Sequence, residues 1–153
     1  YDVVVAGGTP AGCAAAIAAA RTGKTVLLLE PTQQLGGLTG NGIGVADTGS
    51  LGSLGGVFWE FCTRVRERYD RSPAVAVGAQ ARSRLTVFWE PHTAAEVWAE
   101  LVAARPQIRV LFGAVPTGVE MDGARIAGVR WERSTHPMGD LPADARRTLA
   151  SSG

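Results

Sequence analysis

Lysine is almost missing from this chain: Lys24 stands alone, and arginine supplies the rest of the positive charge. The 15 basic residues nearly cancel the 14 acidic ones, leaving a formal net charge of +1. Such a balance offers no basic field for a nucleic acid and no acidic tail. Cysteine is scarce as well. Cys13 and Cys62 are too few for a disulfide framework or a metal set, and both fall at helix positions where a small buried residue is expected. No apolar run is long enough to cross a membrane, because glycines and polar residues closely bracket the alanine-rich stretch near the start. No His–acid pair, cysteine pair or reactive lysine can be nominated for catalysis, and His92 reads as a helix-start residue. The catalytic residues, the substrate and the oligomeric state are therefore left open. The chain begins with Tyr1 at the edge of a strand, so the native N-terminus is expected to be absent; the cytoplasm is the default compartment.

What is present is concentrated in the first thirty residues. Tyr1-Asp2-Val3-Val4-Val5-Ala6 reads as a buried parallel strand. Gly7-Gly8-Thr9-Pro10-Ala11-Gly12 follows, then an alanine-dominated helix stopped by Gly23, then a second buried strand, Val26-Leu27-Leu28-Leu29, ending on Glu30. Strand, glycine turn, helix, strand and terminal acid come in the order of a dinucleotide-binding βαβ unit. Gly7 suits the tight turn, and Gly12 lets the helix lie close to the sheet. Pro10 fits the first helical position, where a missing N–H costs nothing. The helix start offers free N–H groups and a positive dipole end to a pyrophosphate. Glu30 can accept from a ribose hydroxyl. Thr9 departs from the fingerprint, standing where G-x-G-x-x-G has its second glycine; its hydroxyl could donate to a phosphate oxygen.

Residues 31–49 read as a long glycine-rich connection, of a kind that is usually functional or disordered. The doublet Gly36-Gly37 lies soon after the acid, where glycines let backbone amides approach a ligand. Phe58, Phe61, Cys62, Val65 and Tyr69 recur at helical spacing and predict a helix whose stripe is core rather than cofactor contact. Residues 70–84 read as a loop, 85–89 as a short strand, 93–104 as an amphipathic helix carrying Ala94, Val97, Trp98, Leu101 and Val102, and 108–113 as a third strand. Asp122-Gly123 between alternating runs predicts a hairpin. Beyond Arg133 the pattern fails. By residues alone, FAD and NAD are both open as the dinucleotide, since Glu30 suits either ribose. The glycine doublet, the long loop after it and the Asp-Gly hairpin favour FAD.

These motifs resemble the N-terminal part of FAD-dependent oxidoreductases with the glutathione-reductase-like fold, over about residues 2–132. The resemblance rests on the Gly-Gly-Thr-Pro-Ala-Gly turn, Leu-Glu-Pro at 29–31, Leu-Gly-Gly-Leu-Thr at 35–39 and Val-Ala-Asp-Thr-Gly at 45–49. Gly55-Gly56-Val57 and Glu90-Pro91 before the later helices also match. It implies an α/β, Rossmann-like FAD/NAD(P)-binding domain with a parallel sheet and a partial antiparallel β-meander, apparently truncated. Residues 1–132 would form the incomplete FAD-binding domain and 133–153 an irregular tail. It implies FAD as cofactor, with Gly7, Gly8, Thr9, Pro10, Ala11 and Gly12 at the pyrophosphate and Glu30, followed by Pro31, at the ribose. Gly36, Gly37, Leu38 and Thr39 would pass along the pyrophosphate towards the ring system, and the Val115 backbone would meet the adenine. A small-molecule substrate is implied, no metal and no nucleic acid. The family's third meander strand and its Ala-Thr-Gly strand have no counterpart in the tail. The expectation is thus an oxidoreductase portion that is inactive alone; the alternatives are an NAD-binding dehydrogenase domain or a truncated domain with no activity.

Overall fold

A computed structural model of the chain describes residues 1–47, 54–70 and 86–135. Strand β1 (Val3–Ala6) leads through the first glycine turn into helix α1 (Pro10–Arg21), and β2 (Val26–Glu30) follows. The helix ends where sequence chemistry ends it. Thr22 N–H donates to the Ala19 carbonyl (3.0 Å) and Gly23 N–H to the Ala20 carbonyl (3.0 Å), with Gly23 in the left-handed conformation. β5 (Ile108–Phe112) completes a parallel sheet of order β1-β2-β5, with Val26 opposite Ile108 and Glu30 opposite Phe112.

Between β2 and β5 the chain forms α2 (Gly37–Asn41), β3 (Val45–Asp47), α3 (Val57–Asp70), β4 (Thr86–Phe88) and α4 (Pro91–Ala103). β3 and β4 pair antiparallel as a separate small sheet. The glycine-rich stretch after Glu30 is therefore more structured than its composition predicts, with α2 and β3 inside it. The residue pattern gave no helix there because both elements are shorter than any periodicity can reveal. Of the loop predicted at 70–84, Asp70 is the last residue of α3; residues 48–53, 71–85 and the tail from residue 136 lie outside the described residues.

One face of the sheet and three helices share the core. Cys13, Ala16 and Ile17 of α1, Phe61, Cys62 and Val65 of α3, and Ala94, Val97 and Trp98 of α4 pack with Val26 and Leu28 of β2. The stripe predicted on α3 is core, as its spacing implies. Burying an aliphatic or aromatic side chain of this size stabilises by roughly 1.5–3 kcal/mol. Ion pairs tie the helices at the surface, with Arg21 on Glu60 (2.5 Å) and Arg68 on both Glu96 and Glu100; exposed pairs of this kind contribute at most about 1 kcal/mol.

β1 is less buried than its sequence predicts. Val3 and Val5 face the core, whereas Val4, 37% exposed, and Ala6 face away. The strand lies at the sheet's edge, and among the described residues nothing pairs with its other side. An all-apolar tetrapeptide does not reveal from sequence that one of its faces lacks cover.

The predicted hairpin is present as β6 (Ala114–Asp122) and β7 (Arg125–Arg133), with Gly123 in the turn at φ +59°. Pro116 opposes Trp131, Val119 opposes Val129, and Met121 opposes Ile126, so one face of the ribbon is apolar. This is the antiparallel, meander-like part of the fold. No helix among the described residues is long and apolar enough to cross a membrane.

Candidate cofactor-binding site

The site is built at the C-terminal ends of β1 and β2. Gly7 continues β1 by donating to the carbonyl of Leu29 (2.8 Å), after which the chain turns into α1. Thr9 is the N-cap, and its Oγ1 accepts from the Gly12 N–H at 3.2 Å. Pro10 occupies the first turn and has no N–H to satisfy. Cys13 N–H donates back to the Thr9 carbonyl (2.8 Å). The Ala11 amide thus has no acceptor inside the helix, and the first turn carries no acidic side chain. An anion is suited to this end of the helix dipole, and the Thr9 hydroxyl keeps its proton to donate.

Gly12 is required by a close approach. A Cβ at this position would lie 1.9 Å from the Gly7 carbonyl oxygen and 3.4 Å from Val5 Cγ1. Any side chain would push α1 away from the turn that feeds it. Cys13, just beyond, is fully buried and its Sγ contacts the Gly8 carbonyl at 3.4 Å. Burial pushes its thiol up to about 12, so the group is a neutral packing residue rather than a nucleophile.

Glu30 is 6% exposed, and both of its oxygens are engaged. Oε2 accepts from Gly8 N–H at 2.6 Å and Oε1 from Thr32 N–H at 2.8 Å. Each carboxylate oxygen has a second lone pair, so the acid can organise both turns and still accept from a hydroxyl. The Thr32 contact gives no signal in the sequence, because a backbone donor is available from any residue there except proline.

The second glycine turn lies against the first. Gly36 N–H donates to the Gly8 carbonyl (2.8 Å), and a Cβ on Gly37 would come within 3.3 Å of Thr9 Cα. Gly36 adopts φ +100°, a region that strains any side-chain-bearing residue. Gly7, Gly8, Thr9, Pro10, Ala11, Gly12, Glu30, Gly36 and Gly37 are therefore gathered into one locus, with Pro31 directly following the acid. Leu38 and Thr39 lie in α2; Leu38 is 69% exposed, whereas the Thr39 hydroxyl turns back to the Gly36 carbonyl (2.7 Å). Val115 is the outlying member. Gly113 N–H donates to the Thr32 carbonyl (3.2 Å), which brings the start of β6 to the chain just after Glu30. β6 pairs only with β7, leaving one backbone edge without a described partner.

Three residues not singled out from sequence as site residues support the locus. Leu35 is buried against Gly8, where an added Cβ would meet its Cδ2 at 2.5 Å. Trp89 and Trp98 reach α2 with their indole N–H groups. A separate groove of about 410 Å³ between α3 and α4, lined by Trp59, Arg64, Leu101 and Arg105 among others, includes none of the glycine turns. Among the described residues no cluster of His, Cys, Asp or Glu could hold a metal ion.

The profile of the family described as "FAD dependent oxidoreductase" matches residues 2–149. The chain belongs to that family. Its cofactor is accordingly FAD, and the NAD alternative is not favoured. No curated protein matches the chain in sequence. Solved structures similar to it include THI4 from Thermovibrio ammonificans, at TM-score 0.55 and 20% identity over 91% of this chain and 52% of that one. The p-nitrophenol 4-monooxygenase PnpA from Pseudomonas putida DLL-E4 also matches at TM-score 0.55, with 17% identity over 85% of this chain and 38% of that one. PqsL from Pseudomonas aeruginosa, described as a probable FAD-dependent monooxygenase, gives TM-score 0.51 at 15% identity, with the same coverage of 85% and 38%. At these identities the likeness is one of fold. The chain spans about half or less of the length of these structures.

Proposed function

We propose that this chain is the FAD-binding portion of a flavin-dependent oxidoreductase acting on a small molecule, with the adenosine diphosphate half of the cofactor at the paired glycine turns. The observation that carries the assignment is the joining of the two turns by Gly36 N–H and Gly8 C=O at 2.8 Å, directly beside a buried acid.

The flavin supplies the redox chemistry when bound. The chain's own residues bind and orient. Ala11 N–H and the Thr9 hydroxyl face the pyrophosphate at the start of α1, with Gly7, Gly8, Pro10 and Gly12 shaping that turn. Glu30 accepts from the adenosine ribose through its remaining lone pairs, next to Pro31. Gly36, Gly37, Leu38 and Thr39 guide the chain of the cofactor towards its ring system, and exposed Leu38 gives it an apolar surface. The free edge of β6 offers the Val115 backbone to the adenine. The domain so defined covers residues 1–132, with 133–153 beyond it.

The test is competition. FAD bound to the purified protein should be displaced by ADP and left in place by FMN, as read from recovery of flavin fluorescence. Displacement by FMN with none by ADP would show that the chain does not hold the adenosine diphosphate half.

A further inference from the structure

The second glycine turn is too short to hold itself. α2 has only five residues, two of them glycine, and Gly42 follows at once. A helix of this length has no stability of its own in water. Something outside it must fix Gly36 and Gly37.

An aromatic cluster does so. Trp98 of α4 donates its indole N–H to Thr39 Oγ1 (3.1 Å), and that hydroxyl donates in turn to the Gly36 carbonyl (2.7 Å). Trp89 reaches the other end of the segment, with its indole N–H placed between the carbonyls of Thr39 (3.2 Å) and Ile43 (3.0 Å). Both indoles are buried, at 2% and 5% exposure. Phe61 of α3 fixes their planes. Its ring stacks on Trp98 at 4.6 Å with 12° between planes, and meets Trp89 edge-on at 5.2 Å and 84°. The turn also sits flush on the cluster: a Cβ at Gly36 would lie 2.8 Å from Trp98 Cδ1.

We infer that Trp98 is a positioning residue for FAD, acting through Thr39 to hold the Gly36-Gly37 turn against Gly8 before the cofactor arrives. Core packing alone would be served by any large apolar ring in place of Trp98. The position uses an indole N–H, aimed at the one hydroxyl that also holds the Gly36 carbonyl. Pre-ordering the turn removes part of the conformational cost of binding. The inference rests on the FAD reading above.

Trp98→Phe keeps a stacking ring while deleting the donor together with part of the indole's volume, and the test uses the purified protein with two readouts that separate loss of the turn from general loosening of the core. In the cofactor-free state, amide exchange at Gly36, Thr39 and Gly40 should accelerate about two- to tenfold, the span of one net hydrogen bond, while the β2 amides are unchanged. FAD affinity from flavin fluorescence titration should fall by a similar factor. Thr39→Val should weaken FAD as well, Thr39→Ser should restore it, and the double variant Trp98→Phe/Thr39→Val should be no weaker than Thr39→Val alone. Unchanged turn amides and wild-type FAD affinity in Trp98→Phe would overturn the inference. So would acceleration spread evenly through the core, which marks a packing residue only. If the wild type binds no FAD, the functional reading falls with the affinity arm, and the exchange arm still decides whether Trp98 holds the turn.

Discussion

Gly8 and Glu30 are joined by a hydrogen bond of 2.6 Å from backbone N–H to carboxylate Oε2, across 22 residues of sequence. The acid expected to meet a ribose is thus also a strut of the first glycine turn. With Oε1 on Thr32 N–H, it sets the spacing between the end of β1 and the chain leaving β2. On the proposed reading, ligand recognition and turn geometry depend on the same side chain.

Substitutions at Glu30 should therefore act before any cofactor is added. Glu30→Gln presents an amide NH2 to either Gly8 or Thr32 N–H, and an unsatisfied buried donor costs roughly 1–3 kcal/mol. Glu30→Arg adds a long cation to a site that is 6% exposed and should lose more of both stability and FAD affinity. Chemical denaturation and flavin fluorescence titration on the three proteins check the order. Equal FAD affinity in wild type and Glu30→Arg would remove the acid from the site.

Gly12→Ala should be worse for stability than any change at an exposed glycine. Its Cβ would fall 1.9 Å from a backbone oxygen that cannot swing aside. The upper end of overpacking penalties is about 3 kcal/mol, or about 6–12 °C in melting temperature for a chain of this size. Gly12→Val should exceed that and abolish FAD-dependent stabilisation. A thermal melt of each variant with and without FAD reads both effects, and wild-type melting of Gly12→Ala would contradict the packing described.

The βαβ unit was legible because its signals are local. Pro10 at the helix start, Gly23 past its end and the apolar runs on either side each follow from backbone chemistry at their own positions. α2 and β3 were hidden for the opposite reason. The α2 segment is tied down by Trp89 and Trp98, some 46–59 residues further along, and β3 by its pairing with β4, so no short window of sequence contains both partners. The candidate site was readable as a set of glycines and an acid, but the bond between the two turns was not. Nor did the stripe on α4 reveal that Trp98, placed correctly in the core, also spends its N–H on Thr39.

The two cysteines should give the protein an alkaline limit. Burial raises the thiol of Cys13 from 9.0 to about 12 and that of Cys62 from 9.0 to about 11. The folded state keeps these protons after the unfolded chain has released them. Their contribution to stability is whole below about pH 9 and is lost as pH rises towards 11–12. Denaturation midpoints measured from pH 8 upwards should fall, and less steeply in Cys13→Ala. A thiol reagent at pH 8 should modify neither cysteine until denaturant is added; rapid modification of the native protein would contradict the burial.

The most direct measurement is the flavin retained after the purified protein is loaded with FAD and desalted, read from visible absorbance. The expected result is about one FAD per chain, with a shifted flavin spectrum and none retained by Gly12→Val. A folded wild-type protein that emerges without flavin absorbance would contradict the assignment of the paired glycine turns as an FAD site.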